Sequence, residues 1–224
     1  MPSRRLIPLL ALAALAAAGT AQAQKLSVTV GGASDYVFRG VSQTDSKPFA
    51  FAALNLSAGQ FYAGAGAENV DFGNSIDAEY DLYAGWKPKL AGVDLDFGVV
   101  RYGYVNQPRH IDIDTVELKA GASVPVSGAR LGGLVAWTPD YWGSGKAGTY
   151  VEANASAPPL AGWSLAGGVG RQDMTAGGDY WTWNLGASRA FGRVVVDLRY
   201  HDTDVHGRGD RFKSRAVATL KASF

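Results

Sequence analysis

The chain contains no cysteine, two methionines and three histidines among 224 residues. Without thiols it forms no disulfide and no thiolate metal site. Neither sign of charge is in real excess, since 21 Lys and Arg stand against 20 Asp and Glu. That balance argues against bulk nucleic-acid binding, which draws on a strongly basic surface. Beyond the first 23 residues no uninterrupted apolar stretch is long enough for a membrane helix. A membrane crossing by this chain therefore requires a closed barrel of strands. What the sequence has in quantity is glycine, at 29, and aromatics, with 6 Trp, 10 Tyr and 9 Phe.

Arg4 and Arg5 precede an apolar run from Leu6 to Ala18, and Ala21-Gln22-Ala23 supplies a small-x-small cleavage site. These features predict a secretory signal peptide over residues 1–23. Its apolar part is too short to span a bilayer, and no Cys follows it to carry a lipid anchor. The expected mature chain, 24–224, has one acid in excess and suffices for one barrel or one sandwich domain.

The last stretch, Arg211 to Phe224, alternates with period two. Phe212, Ala216, Ala218, Leu220, Ala222 and Phe224 share one parity, and Arg211, Lys213, Arg215 and Lys221 the other. Side chains on a strand point to alternate faces. Small residues bracketed by aromatics suit a lipid-facing strand, whereas a soluble core strand is more often filled with large branched side chains. A strand of this kind ending in Phe224 resembles the C-terminal signal of bacterial outer-membrane β-barrels, which their assembly machinery reads. Taken alone, the stretch is equally compatible with an amphipathic edge strand of a soluble sheet.

The rest of the chain decides between them. Twelve alternating segments can be marked. The clearest sets Ala78, Tyr80, Leu82, Ala84 and Trp86 against Asp77, Glu79, Asp81, Tyr83 and Gly85. Only beyond Val100 does the phase become unclear, with Arg101, Tyr102 and Tyr104 fitting if a bulge intervenes. Alternate connections are short and rich in Gly or Pro, such as Ala58-Gly59-Gln60. Those between them, such as Asn106 to Ile111 and Asp204 to Asp210, are longer and more polar. Short periplasmic turns and longer extracellular loops have this pattern. On that topology Tyr36, Phe38, Tyr80, Trp137, Trp181, Trp183, Tyr200 and Phe212 fall near the outer ends of strands. Phe61, Trp86, Trp163 and Phe224 fall at the inner ends, giving two aromatic girdles. The expected fold is all-β: a transmembrane, antiparallel, up-and-down β-barrel of about 12 strands. A soluble periplasmic β-protein would leave the girdles unexplained.

Ser34-Asp35-Tyr36-Val37-Phe38-Arg39-Gly40-Val41-Ser42, Asn69-Val70-Asp71-Phe72, Glu79 to Trp86, Thr138-Pro139-Asp140-Tyr141 and the terminal Phe resemble the TorF-type porin family of Gram-negative outer-membrane proteins. The resemblance covers most of the chain after residue 23. It implies an outer-membrane barrel and a porin role, and it carries no catalytic residue.

Twelve strands about 4.8 Å apart and tilted about 40° enclose a backbone cylinder about 24 Å across, narrowed by inward side chains. Asp77, Glu79, Asp81, Asp94 and Asp96 cluster on the fourth and fifth segments. Arg39, Arg199, Lys213, Arg215 and Lys221 lie on the first, eleventh and twelfth, which meet when the barrel closes. As pore-lining residues they would set a transverse field that filters small hydrophilic solutes. Alternatively they would pair across the lumen and plug it. Passive diffusion through the outer membrane is one expectation, and a non-conducting barrel with a structural or surface-binding role is the other. The partners expected are outer-membrane lipid, small solutes and the assembly machinery, with no nucleic acid and no cofactor. Enzymatic readings are weak, because of His110, His201 and His206 only His201 falls on a strand. Asp202, Asp204, His206 and Asp210 resemble an omptin-like acid cluster only loosely, and their spacing matches no Ca²⁺ loop.

Overall fold

The computed structural model describes residues 24–224, so the expected signal peptide, 1–23, lies outside the described residues. Twelve strands form the wall: β1 (Lys25–Ala33), β2 (Phe49–Ala58), β3 (Phe61–Asn69), β4 (Ala78–Trp86), β5 (Val93–Val105) and β6 (Thr115–Val126), then β7 (Ala129–Thr138), β8 (Gly148–Ser156), β9 (Trp163–Met174), β10 (Tyr180–Phe191), β11 (Val194–Thr203) and β12 (Arg215–Ser223). Each pairs antiparallel with its neighbours in sequence, and β1 pairs with β12, so the sheet closes on itself. Phe224 takes part in the closure: its N–H donates to the Val28 carbonyl at 2.9 Å, and its carbonyl accepts from the Val28 N–H at 3.1 Å. Closure leaves no free edge, which is what an isolated sheet in lipid could not tolerate.

The two-residue sequence period becomes the two faces of the wall. Leu82, Val99, Leu118, Leu165 and Leu185 are exposed on the outside, while Glu79, Tyr83, Glu117, Gln172 and Arg199 turn inward. A nine-residue strand tilted about 40° crosses about 23 Å, close to the apolar band of membrane barrels. At one end the strands join by short turns. Ser127-Gly128 is a two-residue link with φ of 49° and 82°, the left-handed pair that hairpin twist favours. At this end Phe61, Trp86, Phe97, Trp163, Phe191 and Phe224 ring the outer face, with Arg189 over Trp163 and Arg193 over Phe224. At the opposite, long-loop end Tyr80, Trp137, Trp181, Trp183 and Tyr200 face outward.

Two expectations need correction. The first concerns β5, which has no bulge. It runs thirteen residues, in register with β4 (Leu82 opposite Arg101) and β6 (Arg101 opposite Val116). Arg101 therefore lies on the outward parity. Its guanidinium reaches Asp114 at 2.6 Å, beyond the strand end, so the charge does not face the apolar band.

The second concerns Tyr36, Phe38 and Phe212, which are not in the outer girdle. β1 stops at Ala33 and β12 starts at Arg215, with a 3₁₀ turn at Asp210–Phe212 before it. The flanking segments bend inward and carry the three aromatics to the inside of the barrel mouth. Phe38 packs on Tyr102 and Trp142, and Phe212 on Tyr180. There Val70, Ile76, Val100, Tyr102 and Tyr104 form a hydrophobic core within the barrel.

Candidate functional site

The first long connection, residues 34–48, folds into the lumen as a small hairpin. Val37–Phe38 pairs with Val41–Ser42 across the two-residue tip Arg39-Gly40. Both tip residues are left-handed, with φ of 48° and 84°, so glycine at position 40 relieves one of two unfavourable positions. Gly40 is also closely packed: a Cβ there would run into Thr182 Oγ1 and Thr203 Cγ2.

Asp35 ties down the base. Its Oδ1 accepts hydrogen bonds from Ser42 and Thr44 at 2.7 Å each, and its Oδ2 accepts from Arg215. The returning arm is linked to the second long connection, where the Asp71 N–H donates to the Gln43 carbonyl at 2.8 Å. Lys47 bonds Asp71 at 2.6 Å, which holds that exposed carboxyl below its usual range.

The tip is held by an ion pair. Arg39 Nη1 and Nη2 donate to the two oxygens of Glu117 at 2.9 and 2.7 Å, a bidentate fork, and Nη1 also donates to Gln172 Oε1 at 2.9 Å. The guanidinium lies over the Tyr150 ring at 4.4 Å. The side chains of Arg39 and Glu117 are only 7% and 1% exposed. Glu117 is on β6, Tyr150 on β8 and Gln172 on β9. The hairpin, rooted after β1, thus reaches across the lumen to the far wall.

The sequence-predicted wall residues are placed as follows. Glu79 and Asp81 face the lumen from β4, and with Glu68 of β3 their carboxylate oxygens lie within 4.8 Å of one another. Oxygens so spaced can take a hard cation or share protons. Tyr36 donates to Glu79 at 3.1 Å. Asp94 and Asp96 face the lumen at the short-turn end. There Lys89 and Arg130 meet Asp94 at 3.2 and 2.6 Å, and Lys87 meets Asp96 at 3.5 Å.

On the basic side, Arg199 pairs with Asp197 two residues away, Arg215 with Asp35, and Lys221 points inward near the short-turn end. Two of the predicted wall residues stand off the wall. Asp77 precedes β4 and accepts from Asn106 in a connection, and Lys213, 71% exposed, pairs with Asp210. Acidic and basic walls therefore do not neutralise each other across the lumen. Most of these charges are met by near neighbours on the wall or at its ends, and Arg39–Glu117 is a link that crosses the lumen.

The loose acid cluster near residue 206 does not converge. Asp202 accepts from Tyr200, Asp204 from the Trp181 N–H, and Asp210 from Lys213. Glu117, Gln172 and Tyr150 were not among the residues that the sequence singled out. The available cue was the Arg39-Gly40 turn inside an alternating stretch.

Solved porins share this architecture. The KdgM porin aligns over 88% of this chain and 99% of its own with a TM-score of 0.63 at 7% identity, and one structure holds it in complex with disordered oligogalacturonate. The NanC porin covers 89% of this chain and 99% of its own, at a TM-score of 0.58 and 11% identity. An outer-membrane channel from Pseudomonas putida F1 aligns over 92% of this chain and 96% of its own, at 0.50 and 12% identity. At such identities the likeness is one of fold. No curated protein matches the sequence. Over residues 17–224 the chain belongs to the Gcw_chp family, described as a bacterial protein of unknown function.

Proposed function

We propose that this protein is an outer-membrane, porin-like channel for passive diffusion of small polar or charged solutes, kept narrow by the hairpin of its first long connection. The observation that carries the reading is a closed barrel that turns charged and polar side chains inward below a hydrophobic mouth, crossed by a hairpin that a buried ion pair fixes at its tip. A barrel needed only as a structural element has no use for a glycine-tipped hairpin matched to a Glu–Gln–Tyr socket on its far wall. In this reading the short-turn end is periplasmic and the long-loop end extracellular.

The resemblance to TorF-type porins and the fold shared with KdgM and NanC support a transport role over a catalytic one. Glu79, Asp81, Asp94, Asp96, Arg199, Arg215 and Lys221 would set selectivity from the wall, with Arg39 at the constriction. Phe224, on a strand with an apolar outer face, would be the residue that the assembly machinery reads.

A second reading, a barrel that does not conduct, is favoured by the depth at which Arg39 and Glu117 are buried. Planar-bilayer recording of the refolded protein under a salt gradient separates the two. Discrete current steps are expected. Replacing Glu79, Asp81 and Asp96 with their amides should move the reversal potential toward anion preference. A refolded barrel that passes no current under any voltage would rule the channel out.

A further inference from the structure

Above the hairpin, at the long-loop end, lies a cavity of about 310 Å³. All six long connections or their strand ends contribute to its lining: Phe38, Phe72, Ile113, Trp142, Gly178 and Arg208 come from the first through the sixth in order. A surface dip between two loops would not recruit all six. The volume is at the lower end of small-molecule sites and matches a single-ring compound.

The chemistry of the lining is one-sided. Aromatic residues make up half of the lining, with Phe38 and Trp142 held edge to face at 5.6 Å. The charged member is Arg208, whose guanidinium is met by the Gly178 carbonyl at 3.4 Å, a weak bond for an ionised donor. That leaves donor capacity on the cation for a ligand. Flat apolar walls accept a ring face, and a guanidinium fork accepts a carboxylate in two parallel bonds.

From this we infer that the cavity is a binding site for a small aromatic carboxylate, its ring against Phe38 and Trp142 and its carboxylate on Arg208. A sugar acid carries the same anion on a six-membered ring. Its several hydroxyls would lose water against a lining whose polar groups besides Arg208 are the Tyr141 and Tyr180 hydroxyls and Gln43, which already donates to the Val41 carbonyl, so the lining favours the aromatic ring. Phe38 belongs to the inserted hairpin, so an occupied cavity would brace the hairpin in place. Binding here does not depend on conduction, and a barrel that passes no current would show it equally.

Isothermal titration of the refolded full chain in detergent tests the site, with benzoate, its neutral isostere benzamide, and galacturonate as probes. Benzoate should bind saturably, with benzamide at least about tenfold weaker, since a charge-assisted bidentate pair is roughly twice as strong as a neutral hydrogen bond. Arg208→Gln should bring benzoate down to the benzamide level and leave benzamide unchanged. Arg208 is in an exposed loop, and a heat-shifted electrophoretic band confirms that the variant is folded. Trp142→Ala should weaken both aromatic probes alike. Absence of saturable benzoate binding would overturn the inference. So would equal affinities for benzoate and benzamide, or an Arg208→Gln variant that binds benzoate as wild type does. Galacturonate binding more tightly than benzoate would overturn the aromatic assignment.

Discussion

Glu117 is a carboxylate that the barrel buries almost completely, and Arg39, the cation bonded to it, is borne on a loop. Arg39→Ala would leave that charge alone inside the protein, at a cost of about 3–5 kcal/mol. Each aromatic pair that helps to seat the hairpin contributes about 0.5–1.5 kcal/mol. The ion pair therefore decides whether the hairpin stays in, and its loss should free the hairpin while the strand ladder holds. Limited chymotrypsin digestion should cut Arg39→Ala after Tyr36 or Phe38 of the hairpin faster than wild type, with the heat-modifiable band of the intact barrel retained. Glu117→Gln keeps an acceptor but leaves the buried Arg39 cation without its counter-charge, so it too should be cut faster than wild type. Identical digestion of all three would show that the pair does not hold the hairpin. Gly40→Val should release the tip by a different route, since it combines a left-handed φ of 84° with a collision against Thr182 and Thr203. Backbone strain alone accounts for about 1–2 kcal/mol of that effect.

Among the elements, the alternation of Ala78 to Trp86 and of the terminal strand was readable because one face meets apolar surroundings and the other the lumen. A one-residue slip would invert both faces. Where pairing stops was not readable. Tyr36 and Phe38 continue the parity of Val28 and Val30, yet they lie past the last ladder bond of β1, so parity no longer says which way they point. Phe212 misled for the same reason at the start of β12. Beyond Val100 the error ran the other way. Arg101 on an outward parity looked like a phase break, but Asp114, supplied by the following connection, makes a continuous strand tolerable.

Hydrogen exchange tests this directly. Amides from Phe97 to Tyr104 should be protected as one block, whereas fast exchange confined to Val100 and Arg101 would restore the bulge. Deleting Phe224 should remove both of its bonds to Val28 and its place under Arg193. The truncated protein should still refold in detergent, where eleven other strand pairings remain, and should accumulate poorly in the membrane of a producing bacterium. Normal accumulation would remove Phe224 from any role in assembly.

At the scale of the whole molecule, the sequence disclosed a wall and left the lumen undetermined. Arg39 and Glu117 are 78 positions apart, and Asp35 and Arg215 are 180 apart. Neither pair follows from local periodicity, because each depends on a loop folding back into a closed barrel. The expected standoff between acidic and basic walls gives way to local pairing, with Asp94 and Asp96 met by cations of the short-turn end. Glu68, Glu79 and Asp81 remain as the concentrated charge of the lumen, beside Tyr36 of the hairpin.

Whether such a barrel conducts turns on the hairpin, so the decisive measurement compares single-channel conductance of the wild type with a variant whose Tyr36 to Gln43 is replaced by a short Gly-Ser link. Wild type should show small steps, and the variant larger ones with weaker ion selectivity, because the segment proposed to narrow the path has been removed. Equal conductance in the two proteins, or silence in the variant, would contradict a channel constricted by its first long connection.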